Sequence, residues 1–273
     1  MENISILKNF TFKNYYSYPY PFFFIDQAYD NKTYSLLEKD YKMFHLYFQK
    51  NARFKENNIR LQISTEEFYN SKLFQNSIWN DFINYHTSKE FFSELVKIFE
   101  KDFEVIYPHI MKEFRLNYES KNFLNIRNDA NKKNYKFVAD CQPGINTPTT
   151  LKNSVRESHI DNSAELIAGL FYLKESKDQS IGGDFQIMEI EKKKRAEFHK
   201  KSEVKNNNDL RLFKEIKYSK NKVVFFVNSP KSIHRVTPRS ETSVPRNLTN
   251  IIFETYHPEC NLFSNRSFKN NII

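Results

Sequence analysis

Two periodicities divide the chain. Behind a short apolar run, Phe22–Ile25, the stretch from Asp26 to Asp40 carries helix signals, with Leu36, Leu37 and Tyr41 at helical spacing. From Ser88 the apolar positions Phe91, Phe92, Leu95, Ile98, Phe99 and Phe103 repeat with a helix period, which predicts one amphipathic helix ended or kinked by Pro108. Thr65 and Ser88 read as N-caps, each with acidic residues in the turn that follows. After about residue 120 the period shortens. Runs rich in β-branched and aromatic residues, Phe123–Ile126, Tyr135–Ala139, Glu165–Leu173, Asp184–Ile190, Val223–Val227 and Asn247–Tyr256, read as strands. Turn residues punctuate them at Pro143-Gly144, Gly182-Gly183 and Ser229-Pro230. Many short strands with turns between them predict a sandwich or barrel-like β-fold.

No internal repeat or linker is visible, so residues 1–273 read as a single domain: a mainly helical N-terminal support over 1–119 and a β-core over 120–258. Residues 191–222 break the pattern, being lysine-rich with Asn206-Asn207-Asn208 at their centre, and read as a solvated charged insertion; a substrate lid is the sharper alternative.

Composition narrows the class. Hydrophobic residues at 39% and aromatics at 16%, with 27 Phe and 16 Tyr, describe a globular chain that fills its core with rings. The net charge of +9 comes from scattered lysines. Without a tight basic run interleaved with aromatics, it describes a soluble surface, and nucleic acid is disfavoured as a partner. Cys141 and Cys260 form neither a metal spacing nor a disulfide framework, which fits a reducing, cytoplasmic location. The opening residues lack the apolar core of a signal peptide, and Pro21–Ile25 is too short to span a bilayer, so no membrane is expected.

The candidate chemistry centres on His159-Ile160-Asp161, answered downstream by His234. Residues i and i+2 of a strand share a face, so His159 and Asp161 can reach one ion together, and an imidazole from a neighbouring strand would complete a two-histidine, one-carboxylate set with open positions. That ligand set is typical of non-haem Fe(II) oxygenases. The other histidines lack this context: His45, His86 and His109 lie in helices or loops, His199 in the charged insertion, and His257 beyond the last strand. A dicarboxylate co-substrate needs a cation, and Arg246, which opens the last apolar strand, is preferred. Of its rivals, Arg235 follows His234 and points the other way, while Arg239 falls in the polar loop between Pro238 and Pro245. All four glycines, Gly144, Gly169, Gly182 and Gly183, fall around these residues, and Gly169 within a strand suggests close packing beside a pocket.

From Cys141 to Tyr256 the chain resembles the Fe(II)/2-oxoglutarate-dependent oxygenases of the prolyl-hydroxylase type. The matching pieces are Cys141-Gln142-Pro143-Gly144, His159-Ile160-Asp161-Asn162, Leu170-Phe171-Tyr172-Leu173, Gly182-Gly183-Asp184-Phe185-Gln186-Ile187, Phe225-Phe226-Val227-Asn228-Ser229 and His234-Arg235-Val236 followed by Arg246. Their order and spacing carry the likeness, over a little under half of the chain. The resemblance implies an α+β protein whose core is a double-stranded β-helix (jelly-roll or cupin-like) packed by the N-terminal helices. It implies Fe(II) held by His159, Asp161 and His234, with 2-oxoglutarate and O2 as co-substrates. Tyr172 would join Arg246 on the far carboxylate, and Ala168, Leu170 and Tyr172 do share one strand face. Gln142 and Asn250 stand where co-substrate contacts occur in the family, though both depart from it in residue type. No catalytic residue is implied beyond the metal ligands.

The implied reaction is hydroxylation with release of succinate and CO2, Asp161 being present where halogenating relatives lack the carboxylate. The primary substrate, a small molecule or a peptide, stays open between peptidyl proline, a free amino acid and a sugar or lipopolysaccharide precursor, and the oligomeric state is not legible. Ile252 stands where the nucleic-acid demethylases of the superfamily carry a second arginine. The alternative is a non-catalytic β-helix module that binds a sugar or an acidic ligand.

Overall fold

The computed structural model describes residues 4–71, 74, 77–154, 156–191, 198 and 202–263. Two strands, β1 (Tyr15–Tyr16) and β2 (Phe22–Ile25), precede the first helix, α1 (Asn31–Asp40), whose cap Asp30 accepts from the Thr33 N–H at 2.9 Å. After α2 (Lys42–Phe48) the helical half is interrupted by a strand not expected there, β3 (Arg60–Gln62). The helices resume with α3 (Thr65–Asn70), α4 (Ile78–His86), α5 (Lys89–Ile98), α6 (Glu100–Ile106) and α7 (Pro108–Asn117).

Ser88 caps α5 as expected, accepting from the Phe91 N–H. The cap of α3 is Ser64 rather than Thr65, in a reciprocal capping box with Glu67. Thr65 turns inward instead, its N–H donating to Asp140 Oδ1 at 2.8 Å and its hydroxyl bridging the Cys141 backbone. The helix expected to run from Ser88 through Phe103 is two helices broken at Phe99, a break that leaves both Phe99 and Phe103 in the core. Pro108 occupies the first position of α7, where its missing N–H leaves no bond unmade.

The second half supplies β4 (Leu124–Ile126), β5 (Phe137–Asn146), β6 (Glu165–Tyr172), β7 (Phe185–Ile190), β8 (Leu210–Ile216), β9 (Lys222–Val227), β10 (His234–Val236) and β11 (Arg246–Glu254). The large sheet runs β1-β2-β9-β6-β11-β5-β3, with β4 paired to β5 off this path, and a smaller sheet runs β10-β7-β8. Two sequence expectations change here. Pro143-Gly144 is not a turn but lies within β5, where the Pro143 carbonyl takes the Ile63 N–H and a Cβ on Gly144 would sit 2.8 Å from the Leu61 oxygen. The bare glycine lets β3 lie close against β5. Within 191–222, expected as a charged insertion, Leu210–Ile216 is a strand paired to β7. Among the described residues it is the outer strand of the small sheet, and charge on such a strand protects an edge rather than marking a loop. Residues 192–197 and 199–201, His199 among them, lie outside the described residues.

Alternation along the strands sorts the large sheet into two faces. One, carrying Phe23, Ile167, Phe171, Phe225, Ile251 and Phe253, packs under the helices in a core that includes Trp79, Phe82, Phe91, Phe92, Leu95 and Phe99, with the Phe92 and Phe253 rings stacked at 4.5 Å. Gly169 lies on this face, and a Cβ there would meet the Phe225 ring at 2.2 Å. The other face brings Phe22, Ala168, Tyr172, Val224, Phe226 and Leu248 against Phe185, Ile187 and Ile216 of the small sheet. The result is α+β: helices, a large sheet, then a smaller sheet. Among the described residues no helix is long and apolar enough to cross a membrane, and Cys141 and Cys260 are buried free thiols.

Candidate metal centre

The face of the large sheet turned toward the small one is polar along β5 and β11. Register aligns Arg60, Asn146 and Arg246 across β3, β5 and β11; the next inward row is Gln62, Gly144, Leu248 and Tyr172, and the next is Gln142, Asn250 and Leu170. Between the sheets lies a cavity of about 350 Å³ lined by Arg60, Gln62, Gln142, Asn250, Leu170, Phe185 and Phe226, with His159, Asp161 and His234 in its wall.

His234 opens β10, and His159 pairs with it through two backbone hydrogen bonds, each N–H donating to the other residue's carbonyl at 2.9 Å. His159 is a single bridging residue rather than part of a regular strand, so this reciprocal pair, not strand alternation, sets its position. The ring centroids lie 4.3 Å apart. Asp161 reaches both: its Oδ1 lies 3.5 Å from His159 Nε2 and its Oδ2 3.6 Å from His234 Nε2. One donor atom from each residue fits within a 4.8 Å span.

The second nitrogen of each ring defines the first. His159 Nδ1 lies 2.7 Å from the Glu157 carbonyl and His234 Nδ1 2.9 Å from the Ser232 carbonyl, contacts that require an N–H at Nδ1. In the neutral ring Nε2 then carries a lone pair. Burial drives the His234 imidazole down to about 4 against the pull of Asp161, so the ring is neutral near pH 7. Burial pushes Asp161 up, but His234, His159 and Arg156 outweigh it and hold the carboxyl below its usual range. Two imidazole lone pairs and an ionised carboxylate converge, and a cation is what that arrangement fits. Phe185 and Phe226 pack against the His234 ring with centroids at 5.1 and 4.9 Å.

Behind the cavity Arg246 is 1% exposed and lies between two aromatic rings, its Cζ 4.9 Å from the Tyr172 centroid and 4.8 Å from that of Tyr218. Its Nη2 donates to the Gly183 carbonyl at 2.8 Å, while Nε, Nη1 and the Tyr172 hydroxyl have no hydrogen-bond partner among the described residues. Burial raises the Tyr172 phenol, with Arg246 and Arg60 pulling it back. Gly183 adopts φ +75°, and a Cβ there would stand 3.1 Å from Arg246 Nε, so the glycine leaves room for the guanidinium. Unmet donors of this kind fit a carboxylate.

No protein-family model matches the chain, and no curated protein is similar to it in sequence. Solved structures similar to it include a prolyl 4-hydroxylase from Phytophthora capsici, at 14% identity and a TM-score of 0.44 over 87% of this chain and 61% of that one. This chain thus spans about three-fifths of that protein's length. Others are a prolyl-4-hydroxylase from Pseudomonas putida (11% identity, TM-score 0.44, 86% and 92% covered) and the viral collagen prolyl hydroxylase of Paramecium Bursaria Chlorella virus-1, solved with 2OG (10%, 0.39, 86% and 95%). At such identities and TM-scores these likenesses carry no argument about chemistry, which is read from the residues themselves.

The structure brings His159, Asp161 and His234 together and places Arg246 and Tyr172 side by side. Gln142 and Asn250 line the cavity but are engaged with neighbours: Gln142 Nε2 donates to Asp140 Oδ2 at 2.7 Å and its Oε1 accepts from Gln62 at 2.8 Å, while Asn250 donates to Gln62 Oε1 at 3.3 Å. Arg239, expected in a polar loop, is instead 1% exposed, its Cδ 3.7 Å from where a Gly183 Cβ would stand, because the chain before β11 folds inward there; two of its nitrogens lack partners among the described residues. Arg235 is engaged with Gln186. Sequence reasoning missed Arg60 and Gln62. Their signal was the alternation Ile59, Leu61, Ile63 against Arg60 and Gln62, a strand pattern in a region read as helical. Glu165 also lines the cavity, its carboxyl pushed well up by burial and by Asp161 and Glu254.

Proposed function

We propose that the protein is an Fe(II)- and 2-oxoglutarate-dependent dioxygenase that hydroxylates its substrate. In this reading the two sheets are the halves of a double-stranded β-helix, with the His159 bridge as the fourth segment of the smaller half, and helices and sheets form one catalytic domain. The observation that carries the reading is the convergence of two Nε2 lone pairs and the Asp161 carboxylate on one point, with both Nδ1 atoms committed to carbonyls.

A bound Fe(II) with 2-oxoglutarate and O2 supplies the oxidative decarboxylation to succinate and CO2, one oxygen atom entering a substrate C–H bond and the other entering succinate. The protein's own groups do the rest. His159, Asp161 and His234 would hold the metal on one side, leaving the cavity side open. The carbonyls of Glu157 and Ser232 fix the ring tautomers and orientations. Arg246, aided by the Tyr172 hydroxyl, would take the far carboxylate and so aim the oxo acid at the metal. Phe185 and Phe226 keep water from the His234 ring.

The test is succinate formation by the full chain with Fe(II), 2-oxoglutarate and O2, beside metal binding by wild type, His159→Ala and His234→Ala. Metal bound by wild type and lost in both variants, with succinate made only by wild type, supports the reading. A wild-type protein that binds neither metal nor 2-oxoglutarate overturns it.

A further inference from the structure

On the oxygenase reading, the metal set and Arg246 with Tyr172 account for the iron and the co-substrate, and one half-buried cation on the cavity wall, Arg60, is left unused. Arg60 projects from β3 in the same register row as Arg246, with Asn146 of β5 between them, about two strand spacings or ~10 Å away backbone to backbone. It lines the cavity that holds the triad, whereas Arg246 lies deeper, 1% exposed. Its one hydrogen bond among the described residues runs from Nε to the neutral Asn146 amide, at 3.3 Å.

The other arginines of the wall face acids. Arg127 pairs with Asp140 at 2.6 Å and Glu254 at 3.2 Å, and Arg156 lies 3.9 Å from Asp161 and 3.8 Å from Glu203. No carboxylate lies within ion-pair distance of Arg60 among the described residues. The side chains nearest it in register, Gln62, Gln142 and Asn250, are neutral amides already bonded to one another. A guanidinium offers five N–H donors in a planar fork, and of those on Arg60, which lines the cavity, only Nε–H is bonded among the described residues. Burial, with Arg246 nearby, draws Arg60 down to about 10, still charged at neutral pH, and Asp161 and Tyr172 oppose the shift.

We propose that Arg60 anchors a carboxylate of the primary substrate, so that the substrate is a small monocarboxylic acid, the free amino acids included, rather than an internal peptide segment or a neutral sugar. A single guanidinium with no counter-ion of its own among the described residues matches a monoanion better than a phosphate dianion. The carboxylate held at Arg60 and the oxo acid held at Arg246 would then orient the two reactants independently from one face of the same sheet. Arg60 is thus a specificity determinant with no part in holding iron.

The test uses the full chain with Fe(II). Under anaerobic conditions the visible band of chelated 2-oxoglutarate reports the co-substrate complex by itself. Free amino acids and short monocarboxylic acids are then added with O2, beside their amides and beside phosphomonoesters, and succinate formation is followed. The expected result is stimulation by at least one acid and not by its amide. Arg60→Met should raise the KM of that acid by roughly 10- to 100-fold, the loss of a charged, forked contact. The KM for 2-oxoglutarate should not follow it, and Arg60→Lys should recover part of the loss. The proposal is overturned if amides or phosphomonoesters stimulate as well as acids, if no acid stimulates, or if Arg60→Met weakens 2-oxoglutarate in the same proportion. Absence of the band in wild type is a different failure, that of the oxygenase reading.

Discussion

Replacing Arg246 with methionine should reverse the order of stability between wild type and variant according to whether 2-oxoglutarate is present. In the free protein Arg246 is a buried cation with Nε and Nη1 unmet and one bond to the Gly183 carbonyl. An unsatisfied buried donor costs about 1–3 kcal/mol, so methionine, similar in length and apolar, should leave the free protein equal to wild type or up to about 2 kcal/mol more stable. For a chain of this size that is a rise in Tm of roughly 4 °C. The ligand changes the sign. Two charge-assisted bonds to a carboxylate, at about 1.5–3 kcal/mol each, are worth roughly 3–6 kcal/mol, which weakens 2-oxoglutarate in the variant about 10²- to 10⁴-fold. At a concentration near 100 times the wild-type Kd, wild type gains about 2.7 kcal/mol and the variant almost nothing. Thermal melts with Fe(II) under anaerobic conditions, with and without 2-oxoglutarate, would show the two curves exchanging places. If the variant melts lower without ligand and is shifted by 2-oxoglutarate as far as wild type, Arg246 does not hold the carboxylate, and Arg239 or Arg60 becomes the candidate.

Metal binding should depend on all three ligands: titration with Fe(II) or Co(II) should find it abolished in His159→Ala and His234→Ala and strongly weakened in Asp161→Asn, and retention by any one would remove that residue from the set. Gly183→Ala should weaken 2-oxoglutarate, since its Cβ would stand 3.1 Å from Arg246 Nε in a backbone at φ +75°; an unchanged Kd would count against that placement. Gly182→Ala should destabilise the fold by more than about 2 kcal/mol, because φ is +88° and its Cβ would lie 2.1 Å from the Pro238 oxygen, as a denaturant melt would report. His86, fully buried, is pushed by burial to about 3, with Nδ1 on the Phe82 carbonyl and Nε2 accepting from the Ile6 N–H. Its folded pKa lies below the unfolded value, so its contribution is complete above about pH 6.5 and is lost as pH falls toward 3, on the order of a few kcal/mol in all. His86→Gln should therefore show a shallower acid limb of stability than wild type; an identical slope would mean that carboxylates alone set it.

Much of the site was legible because its chemistry sits in short local patterns. His159 and Asp161 are two residues apart, His234 opens a short strand, and Arg246 begins a long, largely apolar one, so residue type and position sufficed to single them out. Arg60 and Arg239 were not legible in that way. Arg60 belongs to a three-residue strand embedded among helices, and Arg239 to a loop whose polar composition describes solvent exposure, whereas the fold buries it. Along β5 and β11 the alternation was readable, but its usual meaning is reversed. Asp140, Gln142, Asn146, Arg246, Asn250 and Glu254 form the polar side of strands whose apolar side faces the helices, and such a side ordinarily faces water. Here these residues are buried, and Gln142 and Asn250 line a cavity, because a second sheet closes over the face.

The sequence by itself determined the helical and extended halves and most strand positions, and it singled out the candidate ligands His159, Asp161 and His234 and the proposed co-substrate arginine, since each follows from local spacing and residue chemistry. The tertiary structure decided where the helix behind Ser88 breaks, that Pro143 and Gly144 run within a strand, and that Leu210–Ile216 belongs to a sheet. It also decided which nitrogen of each histidine faces Asp161 and which arginine of the cavity wall has no ion pair among the described residues. These are outcomes of packing between segments far apart in the chain: β3 pairs with β5 across more than 80 residues, and His159 with His234 across 75. No local pattern encodes the neighbour that such a pairing brings.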